Sequence, residues 1–155
     1  MRRSDQRRAA IFALYRHEVT GAPLEELIER GPFPEQRGPD RELTVPAGPL
    51  TDFARDLVCG VEEHAPELDR LIAGKSVDWP LERIAPLERS IMRVAMYEIL
   101  HRPDVPAEVA IDEAVEAAKT FCGAEAPAFV NGVLGGIVRE LDLERVSGHG
   151  GEHRG

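Results

Sequence analysis

An all-α fold of about seven helices is the architecture this sequence predicts. Three observations carry it. Apolar residues recur at three- and four-residue intervals along most of the chain, and no segment reads as a convincing strand. Aromatic residues are only 5% against 43% apolar, so the core must rest on Leu, Ile, Val and Ala, a mixture that favours helices over a β-sandwich. Proline and glycine cluster between the periodic stretches, where they break the helical ladder. At 155 residues the chain suits a single domain, read as residues 1–143, able to bury a core without disulfide or metal staples.

The first helix is expected from about Ser4 to Val19. Ser4 or Asp5 can cap it, because either side-chain oxygen can accept from the free amides of the first turn. Phe12, Tyr15 and Val19 share its apolar stripe, widened by Ala9, Ala13 and Leu14. Gly21 ends it, and Pro23 opens a short second helix to about Arg30. Residues 31–49 hold five prolines and three glycines and read as a long, mobile loop inside the domain. A third helix starts at Pro49, a favourable first-turn residue, and runs to about His64, with Leu50, Phe53, Ala54, Leu57, Val58 and Val61 inward. A fourth, shorter helix follows Pro66, with Leu68, Leu71 and Ile72 inward and Gly74 closing it.

After a turn at Trp79-Pro80 the fifth helix runs from about Pro86 to His101. It is apolar around much of its circumference (Leu87, Ile91, Met92, Val94, Ala95, Met96, Ile99, Leu100), which marks it as the central helix. The run Arg102 to Pro106 breaks it. The sixth directs Val109, Ile111, Ala114, Val115, Ala118 and Phe121 inward, with Asp112, Glu113, Glu116 and Lys119 outward. The seventh begins at Pro127 and buries Val130, Val133, Leu134, Ile137, Val138 and Leu141. Residues 144–155 lack apolar periodicity, are rich in glycine, and are expected to be a disordered tail.

Several function classes fall away. No apolar run approaches the roughly 18–20 residues that span a bilayer. The stretch after the N-terminal arginines is too short for a secretory signal and fits a helix face better, so the expected compartment is the cytoplasm. Cys59 and Cys122 stand far apart among apolar neighbours and read as two buried thiols, not a disulfide or metal pair. There is no phosphate-cradling glycine loop, no HExxH and no paired-cysteine spacing, so neither metal nor cofactor is expected. The carboxylates Asp112, Glu113 and Glu116 lie at the spacing of a solvated helix face. His17, His64 and His101 each stand near an expected helix end, where a cation complements the helix dipole.

Two features rise above that background. The chain carries a formal charge of −9, yet residues 1–16 hold Arg2, Arg3, Arg7, Arg8 and Arg16 against Asp5 alone. That segment is +4, which leaves −13 on the remainder. A basic arm on an acidic body points to one local anionic partner. Guanidinium groups grip phosphates bidentately, and Tyr15 or Phe12 can stack on an unpaired base. A solvated arginine-rich terminus reads almost as well, but arginines at a helix start oppose its dipole, which favours a use for them. The second feature is Gly132, Gly135 and Gly136 inside the apolar last helix, each costing about 1 kcal/mol against alanine. They imply close backbone approach, to the central helix for Gly132 and to either the core or a partner for Gly135.

The stretches Trp79 to Ile84 and Ile91 to Glu98, Val105-Pro106 with Val109 to Lys119, and Phe129-Val130-Asn131-Gly132-Val133-Leu134 together resemble the signature of the NusB family. Arg7-Arg8-Ala9-Ala10 with Ala13-Leu14-Tyr15 is similar to the family's opening motif, so the resemblance spans about residues 5–141. It implies two roughly perpendicular helical bundles and a transcription antitermination factor, one that binds the boxA RNA of nascent ribosomal transcripts together with the ribosomal protein NusE and joins the RNA polymerase antitermination complex. It further implies RNA contacts from Arg2, Arg3, Arg7 and Arg8, with Tyr15 beside them, and a NusE face including Glu98 and Asn131. Relatives commonly carry an acid where this chain has Gly135, a departure that bears on the same face. Some family members self-associate, so a homodimer that masks the arginine face stays open. The fold also resembles the N-terminal region of ribosomal-RNA cytosine methyltransferases. Such an enzyme needs a cofactor domain that nothing after Leu141 supplies, and no catalytic activity is expected.

Overall fold

The computed structural model describes residues 1–33, 45–76 and 78–154, and only the backbone of 146–154. The described residues form six α-helices, with no strand among them: α1 (Arg3–Thr20), α2 (Leu24–Arg30), α3 (Asp52–Lys75), α4 (Pro86–His101), α5 (Ala107–Phe121) and α6 (Ala126–Arg154). A 3₁₀ turn, Leu81–Arg83, leads into α4. As its pattern predicts, α4 is the central element. It packs against α1, α3, α5 and α6, and Ile91, Met92 and Met96 are wholly enclosed. Helices α1 to α3 form one group, while α5 and α6 pack chiefly on each other, so α4 joins the two groups.

The third and fourth expected helices are one. Pro66 lies inside α3 and does not end it. A mid-helix proline forfeits an amide bond and crowds the preceding turn, at a cost of about 3 kcal/mol. Val61 before it and Leu68 and Ile72 after it lie on one stripe, and all are buried. Packing on both sides of the proline holds the backbone helical through it, an instance of tertiary burial overriding propensity. Thr51 caps this helix, its Oγ1 accepting from the Ala54 amide at 3.3 Å.

Other expectations are corrected. Neither Ser4 nor Asp5 caps α1: Arg2 holds the cap position without a side-chain bond, and Ser4 donates instead to Glu113 at 2.7 Å. Val109 is 39% exposed, because α5 turns the face of Ala110, Ala114 and Ala118 toward the core. Cys59 is exposed on the outer face of α3 and Cys122 half-buried, both as free thiols. Burial, with some help from Glu88, pushes the Cys122 thiol up to about 11. Helix α6 extends to Arg154. No proline after Pro127 stops it; the loss of apolar periodicity marks where burial ends, with Asp142, Leu143, Glu144 and Arg145 all exposed.

The ends of the expected 31–49 loop are tied together, while its stretch 34–44 lies outside the described residues. Gly31 adopts φ +96°, and a Cβ there would strike the Gly48 carbonyl. Val45 and Leu50 are buried, and the Leu50 amide donates to the Ile28 carbonyl at 2.9 Å. Close approach within a helix occurs at Gly60, not at Gly132, whose surroundings are open. The Tyr97 ring of α4 lies against the bare Gly60 backbone of α3, and a Cβ built on Gly60 would collide with that ring. Gly60→Ala is therefore expected to lower stability by about 1–3 kcal/mol through overpacking, despite alanine's better helix propensity. Urea unfolding checks this; an unchanged midpoint would mean that Tyr97 has room to retreat.

Candidate nucleic-acid interface

The arginines of the first helix do not share one environment. Arg2 is the most exposed, its guanidinium 3.7 Å from Asp5. Arg3 is half-exposed. Its Nη2 donates to Asp104 Oδ2 at 3.0 Å, and its guanidinium lies 4.3 Å from the centre of the Phe53 ring. Arg8, half-buried, stands 5.5 Å from the Phe121 ring. Tyr15 sits two turns beyond Arg8 on the same helix face. It is half-buried, with its ring edge-on to Phe12 at 6.1 Å.

Arg7 differs in kind. One turn beyond Arg3, it turns into the protein and is 6% exposed. Its Nε donates to both carboxylate oxygens of Glu98, at 2.8 and 3.0 Å, and its Nη2 donates to Oε2 at 2.8 Å. Glu98 is 1% exposed. The fork matches the carboxylate bidentately, the strongest arrangement available to an arginine. In this arrangement the two are withdrawn from the surface. Sequence reasoning offered Arg7 as an RNA contact and Glu98 as a partner contact, whereas the structure joins them as one internal ion pair. Period and charge cannot separate a buried arginine from a solvated one. The available signal was that Glu98 falls on a helix apolar nearly all round.

A second cluster surrounds Phe53, which the sequence assigned only to a core stripe. The guanidinium groups of Arg3, Arg7 and Arg102 lie 4.3, 5.3 and 4.9 Å from its ring centre. Cations over an aromatic face are attracted by its quadrupole. Arg102, read from sequence as part of a helix-breaking run, donates to Asp56 at 2.9 Å and to Asp104 at 2.9 and 3.1 Å. Hydrogen bonding from Arg102, partly opposed by desolvation and reinforced by Arg3, holds the Asp104 carboxyl below its usual range. Tyr97 donates to both oxygens of Asp56 at 3.1 Å. Burial first, and the Asp56 bond second, push the Tyr97 phenol above its ordinary value. No local pattern announces Arg102, since Asp56 and Phe53 come to it from α3 and only Asp104 is near it in sequence.

The three residues expected on a partner face are not brought together. Glu98 is buried against α1, whereas Asn131 is exposed on α6. Gly135 follows Asn131 by one turn and is half-buried, with Arg139 Nη1 3.3 Å from where a Cβ would stand.

The model of the family described as the NusB family matches residues 4–139. Among relatives, the transcription antitermination protein NusB of Rubrobacter xylanophilus is 45% identical over 88% of this chain and 89% of its own length. That of Symbiobacterium thermophilum is 41% identical over 91% and 92%. Among solved structures, T. maritima NusB is 31% identical, with a TM-score of 0.71 over 90% of this chain and 92% of that one. A chain from the structure of antitermination factors NusB and NusE in complex with dsRNA shares the fold at a TM-score of 0.71 and 23% identity, over 89% and 96% of the two chains.

The internal ion pair yields a direct expectation. Arg7→Ala leaves Glu98 buried without its partner, and Glu98→Ala leaves Arg7 buried with only Glu113, 3.9 Å away; each alone should cost about 3–5 kcal/mol. The volume-matched double change Arg7→Met with Glu98→Leu should cost far less than the two single losses summed. Additive losses across this cycle in denaturant unfolding would show that the two side chains do not act as a unit.

Proposed function

The chain belongs to the NusB family, and from that premise we propose that it is a transcription antitermination factor. In this reading it binds boxA RNA of nascent ribosomal transcripts together with NusE, joins the RNA polymerase antitermination complex, and performs no chemistry of its own. The observation that carries the RNA half is the set of arginines crowded at the start of α1 on an otherwise acidic chain. Support also comes from the names of the relatives, which are antitermination proteins over nearly their whole lengths.

The geometry refines which residues do what. Arg2, Arg3 and Arg8, at and just after the start of α1, have solvent-facing surface, and they make the phosphate contacts. Arg102 joins them through Phe53 and Asp104. Tyr15, on the face of Arg8, offers the edge of a stacking platform for an unpaired base. Arg7 is a positioning residue: it locks α1 onto α4 and so orients the arginines on either side of it. For the NusE face, Asn131 and Gly135 on α6 remain the residues we assign, and Glu98 acts on it only through the helix it anchors.

A titration of boxA RNA with NusE present, repeated across salt concentrations, tests the reading. Each phosphate contact on a single strand contributes about 0.7 to the slope of log affinity against log salt. Replacing Arg2, Arg3 and Arg8 together by alanine should weaken binding and flatten that slope by about 2. Binding as tight and as salt-dependent as that of the intact chain would overturn the assignment. A second outcome separates this surface from a generic basic one. Asp104→Asn removes the carboxylate that holds Arg3 and Arg102, so it should tighten RNA binding; weaker binding would mean that Asp104 orients these arginines for the contact and does not compete with it.

A further inference from the structure

His64, Glu67 and His101 form a compact cluster that the RNA-binding reading does not use. His64 and Glu67 are one turn apart on α3, so their side chains share a face. His101 is the last residue of α4 and reaches the same spot from the other helix. The two imidazoles stack, with centres 3.9 Å apart and planes 18° from parallel. Glu67 Oε1 lies 2.9 Å from His101 Nε2 and 3.9 Å from His64 Nδ1. One donor atom from each of the three lies within 4.8 Å of the other two. The side chains are about a third to a half exposed, so an ion from solvent has access.

We infer that this cluster is a transition-metal site, with Zn²⁺ as its natural occupant and His64, Glu67 and His101 as its protein ligands. The donor set decides the class of ion. Two imidazole nitrogens and one carboxylate suit zinc and its neighbours, whereas magnesium and calcium take oxygen ligands. Bonds of about 2.0–2.1 Å place tetrahedral ligand atoms about 3.3 Å apart, between the two separations that Glu67 makes here. Binding requires the rings to turn out of their stack so that both lone pairs meet one ion. For side chains this exposed, that is a rotamer change and not a repacking. Two neutral imidazoles and one carboxylate bring a charge of −1 to a divalent cation. Three protein ligands leave a fourth position to water or to a donor from another molecule.

The ion would fasten the C-terminal end of α4 to the middle of α3, across the seam where Tyr97 packs on Gly60. The cluster is not a feature a linear search can find. His64 and Glu67 form only a three-residue spacing on α3, and the third ligand stands 37 positions after His64 in the sequence. Reading His64 as the end of a helix also hid it, since α3 carries it mid-helix.

The test uses the full chain without an affinity tag, in a His149→Ala, His153→Ala background, because those two tail histidines are themselves four residues apart. Zn²⁺ is titrated by calorimetry, and Co²⁺ by its visible absorption. One equivalent of each should bind, and the cobalt spectrum should lack the thiolate charge-transfer bands that Cys59 or Cys122 would give. Further change of His64→Ala or of His101→Ala should weaken binding by at least roughly tenfold, the loss that even outer-shell changes produce at metal sites. Zinc should also raise the thermal midpoint of the background protein and not that of the His64→Ala, His101→Ala variant. Circular dichroism confirms that each variant is folded. Undiminished affinity in that double variant, thiolate bands, or no one-to-one binding in the background protein would each overturn the assignment.

Discussion

Arg7 and Glu98 meet inside the protein through three hydrogen bonds of 2.8–3.0 Å, and both are almost wholly enclosed. Taking two charges out of water costs several kcal/mol per ion, and only bidentate geometry with every lone pair occupied offsets it. Such a pair adds little stability over two apolar side chains of the same volume. What it contributes is register. An apolar face tolerates sliding by fractions of a turn, whereas a guanidinium fork fits one carboxylate in one orientation. α1 is thereby fixed against α4 both along its axis and about it. Every residue of α1 inherits that setting, including Arg3 one turn before the pair and Arg8 immediately after it.

The consequences run outward along two rows of α4. Glu98 and Arg102, four residues apart, face the arginine end of α1, the second through Asp104 and Phe53. Tyr97 and His101, also four apart, face α3. The offset of one residue between the rows is about 100° of helix, enough to address two neighbouring helices from one. Gly60 makes the second row possible. Without a side chain it lets the Tyr97 ring lie on the backbone of α3, which carries the phenol to Asp56 one turn earlier on that helix. Asp56 then receives Arg102 from the first row, and the rows are joined through a shared carboxylate.

What the sequence made legible follows from which properties are periodic. The bounds of α4 were read correctly because proline, a long apolar circumference and a proline-rich turn all agree there. Pro66 was misread because proline's local cost is visible in sequence, while the burial of Val61, Leu68 and Ile72 around it is not. The arginine-rich arm was legible as composition, yet five arginines look alike in a string, and only Arg7 is opposite a carboxylate inside the core. Gly60 and Gly132 are likewise indistinguishable on paper. One faces an aromatic ring and the other faces open space, a difference set by residues far away in the chain. Arg102 and the His64 cluster were invisible for the same reason: their partners are assembled by tertiary packing.

The formal +4 of the first helix and its arm therefore overstates the field that an anion meets. Arg2 has Asp5 beside it, Arg3 shares Asp104 with Arg102, and Arg7 is consumed by Glu98. On the RNA-binding reading, a phosphate does not meet bare guanidinium groups; it exchanges with carboxylates already in place. The affinity is then a difference between two similar interactions, smaller than the charge count suggests. That arrangement disfavours loose capture of any polyanion, because an ill-fitting phosphate cannot repay the loss of Asp104, while a backbone of the right contour engages several arginines at once. An acidic body of −13 strengthens the discrimination, since phosphates that overrun the arginine end encounter repulsion. Discrimination among polyanions by contour then rests on the arginines, while any choice of sequence must come from base contacts elsewhere. The contour they match is set by their fixed spacing, which returns the requirement to the ion pair that holds α1 in register.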